Sequence, residues 1–178
     1  HLGHSFPTRR SSDLKFCPIC GSKLEERNSW DEGSVPYCKR DNKMFFDTPT
    51  PCIIAAVIKD DKILLLKQSY IFKNSKVLVS GYVTNGEKVE ETVRREVKEE
   101  TGINVGEVKY LGSDYLESNE IIMLTFMAKY ESGEIEKSDE VEWLDWTKIE
   151  DAICEMPEDE IGKRIVKKVI QHMDYKPS

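Results

Sequence analysis

Long apolar runs are missing from this chain. No stretch of about 18 apolar residues occurs and no charged-then-apolar leader opens it, so neither a membrane span nor a secretory signal is expected, and the expected compartment is the cytoplasm. Excess positive charge is also lacking. The formal net charge is −7, which argues against a general nucleic-acid binder, because phosphate affinity rests on a basic surface. Lys39, Arg40 and Lys43 form a small basic cluster, read as a solvated surface. Histidine is scarce: neither His1 nor His4 is offered as a ligand, and His172 is expected on the surface of the last helix. The 5 cysteines, an odd number with two in a C-x2-C pair, suit thiols and a metal knuckle better than a disulfide framework. No internal repeat or heptad run is present.

What is there supports one main core with a small appendage, since the chain has 178 residues of which 39% are apolar. The opening HLGHSFPTRRSSDL has no initiator Met, no helix or strand periodicity, and many polar and turn-forming residues. Residues 1–14 are therefore expected to be disordered, and they resemble a translated sequencing-adapter stretch. Arg9 and Arg10 within them are not offered as a basic patch.

The informative segment runs from Gly81 to Ile103, GYVTNGEKVEETVRREVKEETGI. A helix turns about 100° per residue, so Glu96, Glu99 and Glu100 fall within an arc of roughly 100°. Val89, Val93 and Val97 lie within or beside that arc, whereas Lys88, Glu91, Arg94, Arg95 and Lys98 gather on the opposite side. Three carboxylates at the edge of a buried stripe repel one another by on the order of 3 kcal/mol per pair at an effective dielectric near 20. A countercharge is required, and a hard, oxygen-preferring dication, Mg²⁺ or Mn²⁺, fits an all-carboxylate site better than zinc. The simpler account, a solvated Glu/Lys helix, has to meet nine specified positions by coincidence, at roughly 10⁻⁹ per starting point.

At these residues the chain resembles the Nudix hydrolase family, whose signature G-x5-E-x7-R-E-U-x-E-E-x-G-U (U apolar) is met at every position. The resemblance implies metal-dependent hydrolysis of a nucleoside diphosphate linked to another group. It also implies that Glu96, Glu99 and Glu100 bind Mg²⁺ or Mn²⁺, while Glu87 and Arg95 form a structural pair and Gly81 and Gly102 shape the ends of the loop and helix. A further carboxylate on a loop about six residues before an aromatic often completes such sites. Glu140 stands in that relation to Trp146, with Asp139 as the neighbouring alternative. Either Glu140 or Glu99 is eligible as general base.

Ahead of this segment, Phe16-Cys17-Pro18-Ile19-Cys20-Gly21 has the form of a zinc knuckle. Cys38 begins a second turn at suitable spacing, but the expected fourth cysteine is Asp41. Three thiolates and one carboxylate can hold tetrahedral zinc; the alternative is a ribbon kept by packing alone. Cys52, in an apolar run, and Cys154, in a helix, are read as incidental thiols. The ribbon, like Pro51-Cys52-Ile53-Ile54, resembles the NADH pyrophosphatase branch of the family, which also implies a homodimer.

Apolar runs at 53–58 and 63–66 flank a short turn and predict a β-hairpin; KVLVS at 76–80 predicts another strand. Further strands are expected at 107–111, 121–130 and 141–146, with a final amphipathic helix over 159–173. Hairpins and crossovers together predict an α/β fold with a mixed sheet covered on both sides, the α/β/α sandwich the resemblance implies. The expected domains are a zinc-ribbon-like module at 15–48 and a Nudix domain at 49–178.

The NADH pyrophosphatase branch carries an SQPWPFP-like segment soon after the signature. Here Gly112-Ser113-Asp114-Tyr115-Leu116-Glu117-Ser118-Asn119 stands instead, and only Ser113 matches. Tyr115 could stack on a base and Asn119 read its edge. The partner is thus a nucleotide-derived small molecule, left open among ADP-ribose, dinucleotides, other nucleoside diphosphate derivatives and capped RNA ends. The rival reading is a non-catalytic Nudix-fold protein that senses nucleotides or binds nucleic acid; such proteins tend to lose glutamates from the signature, and none is lost here.

Overall fold

The turn between the first two long strands shows how local chemistry sets the register. The computed structural model describes residues 11–174; His1, His4, Arg9 and Arg10 lie outside them. Strands β4 (Thr50–Lys59) and β5 (Lys62–Lys67) pair antiparallel with Lys59 opposite Lys62, leaving Asp60-Asp61 as a two-residue turn. Asp60 takes φ +56, a conformation that Asp tolerates and β-branched residues do not.

The chain divides into two compact units at Pro49/Thr50. In the smaller one, β1 (Glu25–Ser29), β2 (Gly33–Cys38) and β3 (Lys43–Met44) form an antiparallel sheet in the order β1-β2-β3. A single 3-10 turn occupies Ser11–Asp13, where disorder is expected from composition. Local bonding explains it: the Leu14 N–H donates to Ser11 O at 3.0 Å, and the Ser11 N–H donates to the Asp47 carboxylate.

The larger unit holds a mixed sheet in the order β7-β8-β4-β5-β9, with β6 (Val79–Tyr82) also paired to β4. Here β7 is Asn104–Leu116, β8 Ile121–Ser132 and β9 Trp143–Lys148, and the β4–β8 pairing is parallel. Alternation along β4 supplies both faces. Ile53, Ala55 and Val57 pack with Val93 and Val97 of α1 (Val89–Thr101), while Ile54, Ala56 and Ile58 pack with Ile165, Val166 and Val169 of α3 (Glu160–Asp174). The short helix α2 (Ile149–Ala152) joins the second layer through Ile149 and Ala152. The result is the expected α/β/α sandwich. Each fully buried Val, Ile or Leu in these layers contributes on the order of 1.5–3 kcal/mol.

Expected strand bounds move, as 141–146 does to Trp143–Lys148 and 53–58 to Thr50–Lys59, and two further shifts bear on the site. The strand predicted over 76–80 becomes β6 at Val79–Tyr82, because Cys52 to Ala55 of β4 fix its register, and Val77 keeps only an isolated bridge to Leu66. The strand predicted over 107–111 runs on to Leu116. A register shift at Tyr110/Gly112 lets β7 continue, and Thr125 Oγ1 donates to Gly112 O at 2.7 Å. Tyr115 therefore sits on a strand rather than on a loop.

Candidate active site

The helix α1 carries the signature glutamates, and both of its ends are held. At the start, Glu91 accepts the Lys88 N–H at 2.9 Å; at the end, Gly102 adopts φ +75 and its N–H donates to Lys98 O at 3.0 Å. A Cβ on Gly102 would come within 2.9 Å of Glu136 Cβ and 3.1 Å of its backbone N, so backbone conformation and space both require glycine.

Gly81, on β6, serves a different purpose. A Cβ there would lie 2.0 Å from Glu96 Cδ and 2.1 Å from its Oε1, so the bare glycine is what allows that carboxylate to rest against the strand. Gly81→Ala is expected to expel the Glu96 carboxylate, lowering affinity for Mn²⁺ about ten- to a hundredfold with little change in melting temperature. Unchanged affinity on Mn²⁺ titration would contradict this role.

Arg95 organises the rest. Its Nε donates to Glu87 Oε1 at 2.8 Å and Nη2 to Glu87 Oε2 at 3.0 Å, a bidentate pair, and Nη2 also donates to Tyr82 O at 3.1 Å. Nη1 donates to Glu96 Oε1 at 2.7 Å and to Glu99 Oε2 at 3.1 Å. The expectation that Arg95 lies opposite the glutamates is corrected here: at about 100° per residue it stands roughly 40° from Glu99, one turn on. Its long side chain folds back across one residue step to Glu96 and one turn to Glu99, carrying the charge to the acidic side. Arg95 beside it, with help from Thr92 and Thr84, holds the Glu87 carboxyl well below the usual range, at about 2.

Glu100 is buried, with 8% of its surface exposed. Its Oε1 accepts from Gln68 Nε2 at 3.1 Å, while Oε2 is buried and has no hydrogen-bond partner among the described residues. Burial, reinforced by the charges of Glu96 and Glu140, pushes Glu100 up to about 7 despite the Gln68 bond. Burial raises Glu96 as well. Glu99 stays open, its side chain 59% exposed.

The three carboxylates do not close on a common point. Arg95 Nη1 lies between Glu96 and Glu99, Glu100 is turned to Gln68, and among the described residues only the cysteine cluster brings three or more ligand atoms within 4.8 Å of one another. The donor set nonetheless suits a hard dication. It is all oxygen, lies on one helix face, and includes a buried oxygen with no other partner among the described residues.

The segment after β8 runs past the end of α1. Glu136 N–H donates to Thr101 O at 2.9 Å and Ser138 N–H to Glu100 O at 3.2 Å, which brings the exposed Glu140 near enough for its charge to act on Glu100. Asp139 is exposed in the same turn. Of the two proposed base-contacting residues, Asn119 borders a cavity beside β4 and α3, whereas Tyr115 is exposed on β7 and does not. Sequence reading misses Gln68 and Tyr70. They follow the apolar run of β5 with no pattern of their own, and only the tertiary fold places them beside Glu100.

In the smaller unit, Cys17, Cys20, Cys38 and Asp41 offer ligand atoms all within 4.8 Å of one another. Cys20 Sγ is 3.6 Å from Cys38 Sγ, and Asp41 Oδ2 accepts from Cys17 Sγ at 3.1 Å and Cys38 Sγ at 3.3 Å. Tetrahedral zinc with bonds of about 2.3 Å to sulfur needs sulfur atoms roughly 3.8 Å apart, so this cluster fits the ion. Burial pushes the Cys38 thiol up to about 11. Cys52 is buried and Cys154 exposed, both outside the cluster.

Comparison with known proteins agrees with this geometry. The NUDIX domain model matches residues 48–169. The NAD-capped RNA hydrolase NudC of Vibrio parahaemolyticus serotype O3:K6 (strain RIMD 2210633) is 32% identical over 151 residues, covering 83% of this chain and 54% of that protein. The chain spans about half the length of the curated relatives it matches. Among solved structures, a NUDIX hydrolase from Nitrosomonas europaea superposes with TM-score 0.66 at 20% identity, covering 92% of each chain. The NUDIX domain of Shewanella oneidensis NrtR, solved with ADP ribose, gives 0.62 at 17% identity, covering 77% of this chain and 94% of that one. No helix among the described residues is long and apolar enough to cross a membrane. With a family model over more than half its length, a fold shared with solved members and the full signature running from Gly81 on β6 through α1 to Ile103, the chain belongs to the Nudix family.

Proposed function

We propose that this chain hydrolyses the pyrophosphate bond of a nucleoside diphosphate linked to another moiety, of the NADH, ADP-ribose or dinucleotide type, using Mg²⁺ or Mn²⁺. Residues 49–178 form the catalytic domain and residues 15–48 a zinc-ribbon module. The observation that carries the reading is Glu100: a buried carboxyl whose Oε2 has no partner among the described residues, beside Glu96 on one helix and pushed up to about 7 by burial. An acid held at such cost in stability is explained by a bound cation. The relatives named NAD-capped RNA hydrolases support a substrate containing NAD, as a free dinucleotide or at a 5′ RNA end.

Glu96, Glu99 and Glu100 would hold the divalent ion, which supplies neutralisation of phosphate oxygens and a lowered pKa for water. Arg95 and Glu87 fix α1 against Tyr82 of β6, so the glutamates keep their spacing during turnover. Glu99 and Glu140, both open to solvent, are the two candidates to accept the proton of the attacking water. Water adds at one phosphorus, the bridging P–O bond breaks, and two phosphomonoesters leave. A panel of NAD, NADH, ADP-ribose and NAD-capped RNA, assayed for AMP or monophosphorylated RNA with Mg²⁺ or Mn²⁺, tests the reading. Turnover of none of these would contradict it.

Cys17, Cys20, Cys38 and Asp41 are assigned to structural zinc. Elemental analysis is expected to find about one zinc per chain in the parent and almost none in Cys38→Ser. Equal zinc in both would remove the assignment.

A further inference from the structure

Cations gather along one edge of a protein whose net charge is −7. Arg164, Lys168 and His172 follow one another on α3 at one-turn spacing, and all three lie against β7. Arg164 Nη2 donates to Asp114 Oδ1 at 2.6 Å, a Cβ on Gly112 would lie 3.1 Å from Lys168 Nζ, and Lys109 Nζ meets His172 Nε2. Lys109 and Asp114 stand opposite Met127 and Met123 of β8, which pack in the α3 layer, so the seam occupies that face of the sheet. Lys167 adds an exposed ammonium on the same helix, and of these Lys and Arg side chains Arg164 alone is ion-paired among the described residues. Ammonium groups collected without carboxylates repel one another until an anion lies along them.

The other face of the same strand carries rings. Tyr110 and Tyr115 stand opposite Phe126 and Ile122, on the α1 side of the sheet, and are 55% and 56% exposed. Tyr110 is held edge-on to Phe126, with ring centroids 5.6 Å apart. Because β7 ends the sheet order, a polymer lying along it can reach both faces at once. The seam also begins at the right place. Leu116, just past Asp114, and Ile161, a turn before Arg164, border the cavity that Tyr70 links to the acidic site. A chain leaving the diphosphate therefore meets Arg164 first and Lys109 last.

We propose that the β7 edge binds single-stranded RNA continuing from a capped 5′ end, with phosphates along Arg164, Lys167, Lys168 and Lys109 and bases stacked on Tyr110 and Tyr115. The inference rests on the pyrophosphohydrolase reading and extends it from the cap to the RNA behind it. Repeated anions joined to flat rings are what a cationic seam beside exposed tyrosines selects, and a duplex, whose base faces are already stacked, is not. The acidic remainder of the surface confines the RNA to this edge.

The test follows binding of a fluorescent, uncapped single-stranded RNA of about 12 nucleotides to the full chain by anisotropy. With three or four phosphates held, affinity is expected to fall about twenty- to fiftyfold between about 50 and 200 mM salt. Combining Lys167→Glu with Lys168→Glu is expected to weaken binding at least about tenfold and to flatten that salt dependence, with the melting temperature within a few degrees of the parent. In the same variant kcat/KM should fall in parallel on NAD-capped RNA and stay within about twofold of the parent on free NAD. Tyr115→Leu should weaken RNA binding about fivefold or more whatever the base sequence. Salt-insensitive binding, unchanged affinity in the double variant, or an equal loss on free NAD and capped RNA would overturn the proposal. So would self-association of the parent that the double variant abolishes while RNA affinity stays intact, since the edge would then serve a second copy. RNA binding lost in the double variant, in a parent that hydrolyses neither NAD nor capped RNA, defeats the hydrolase reading alone; turnover of both by a parent that does not bind the uncapped RNA defeats the edge assignment alone.

Discussion

Glu99→Gln and Glu100→Gln are each expected to lower kcat on a diphosphate substrate by about 10²–10⁴-fold at saturating Mg²⁺ while the protein stays folded. A carboxamide keeps the shape of the side chain and removes the charge that holds the cation. Glu100 adds a second readout. Its folded pKa, about 7, lies above the ordinary carboxylate range, so the unfolded chain gives up this proton more readily than the folded one. Without divalent ion the fold should lose stability as pH rises from about 4 through 7 and keep that deficit above it. Glu100→Gln removes the deficit, so thermal melts in chelator should show the variant equal to or more stable than the parent at pH 8. A parent-like kcat in either variant would show that the charge at that position is not used in the reaction.

Replacing Arg95 should cost both activity and stability. Arg95→Ala deletes the hydrogen bonds to Glu87, Glu96, Glu99 and Tyr82 together, leaving three carboxylates with mutual repulsion and no countercharge. We expect kcat to fall about a hundredfold or more and the melting temperature to drop clearly. Arg95→Lys should rescue little, because a single ammonium cannot reproduce the bidentate contact with Glu87. The pH dependence has the opposite sign to that of Glu100. Glu87 is held at about 2, so the stability it contributes is present above the ordinary carboxylate range and is lost as pH falls toward 2. In Arg95→Ala that acid-side loss should flatten, and acid titration monitored by circular dichroism would show it. An unaltered acid limb would mean the pair does not hold the loop to the helix.

Much of this site was legible in the sequence because it depends on quantities that the chain carries locally. Helical pitch alone places Glu96, Glu99 and Glu100 on one face, and the valines between them show that the face is half-buried. The left-handed glycine at 102 is likewise a local requirement, as is the turn at Asp60. Arg95 was misplaced although the same pitch sets it roughly 40° from Glu99; what a wheel does not give is that its long side chain also reaches Glu96 and Glu87. Gln68 and Tyr70 were invisible, since their roles arise only when β5 is laid beside α1 by pairing with β4. The strand through Gly112 was missed because a glycine in an apolar–polar alternation reads as a break, whereas in the sheet it absorbs a register shift.

The central claim is that the signature glutamates take up a divalent cation. Mn²⁺ titration followed by electron paramagnetic resonance, comparing the parent with Glu99→Gln at pH 8, tests it most directly. Saturable uptake by the parent, weakened at least tenfold in the variant, is the predicted result; no uptake, or identical curves for the two proteins, would contradict the account.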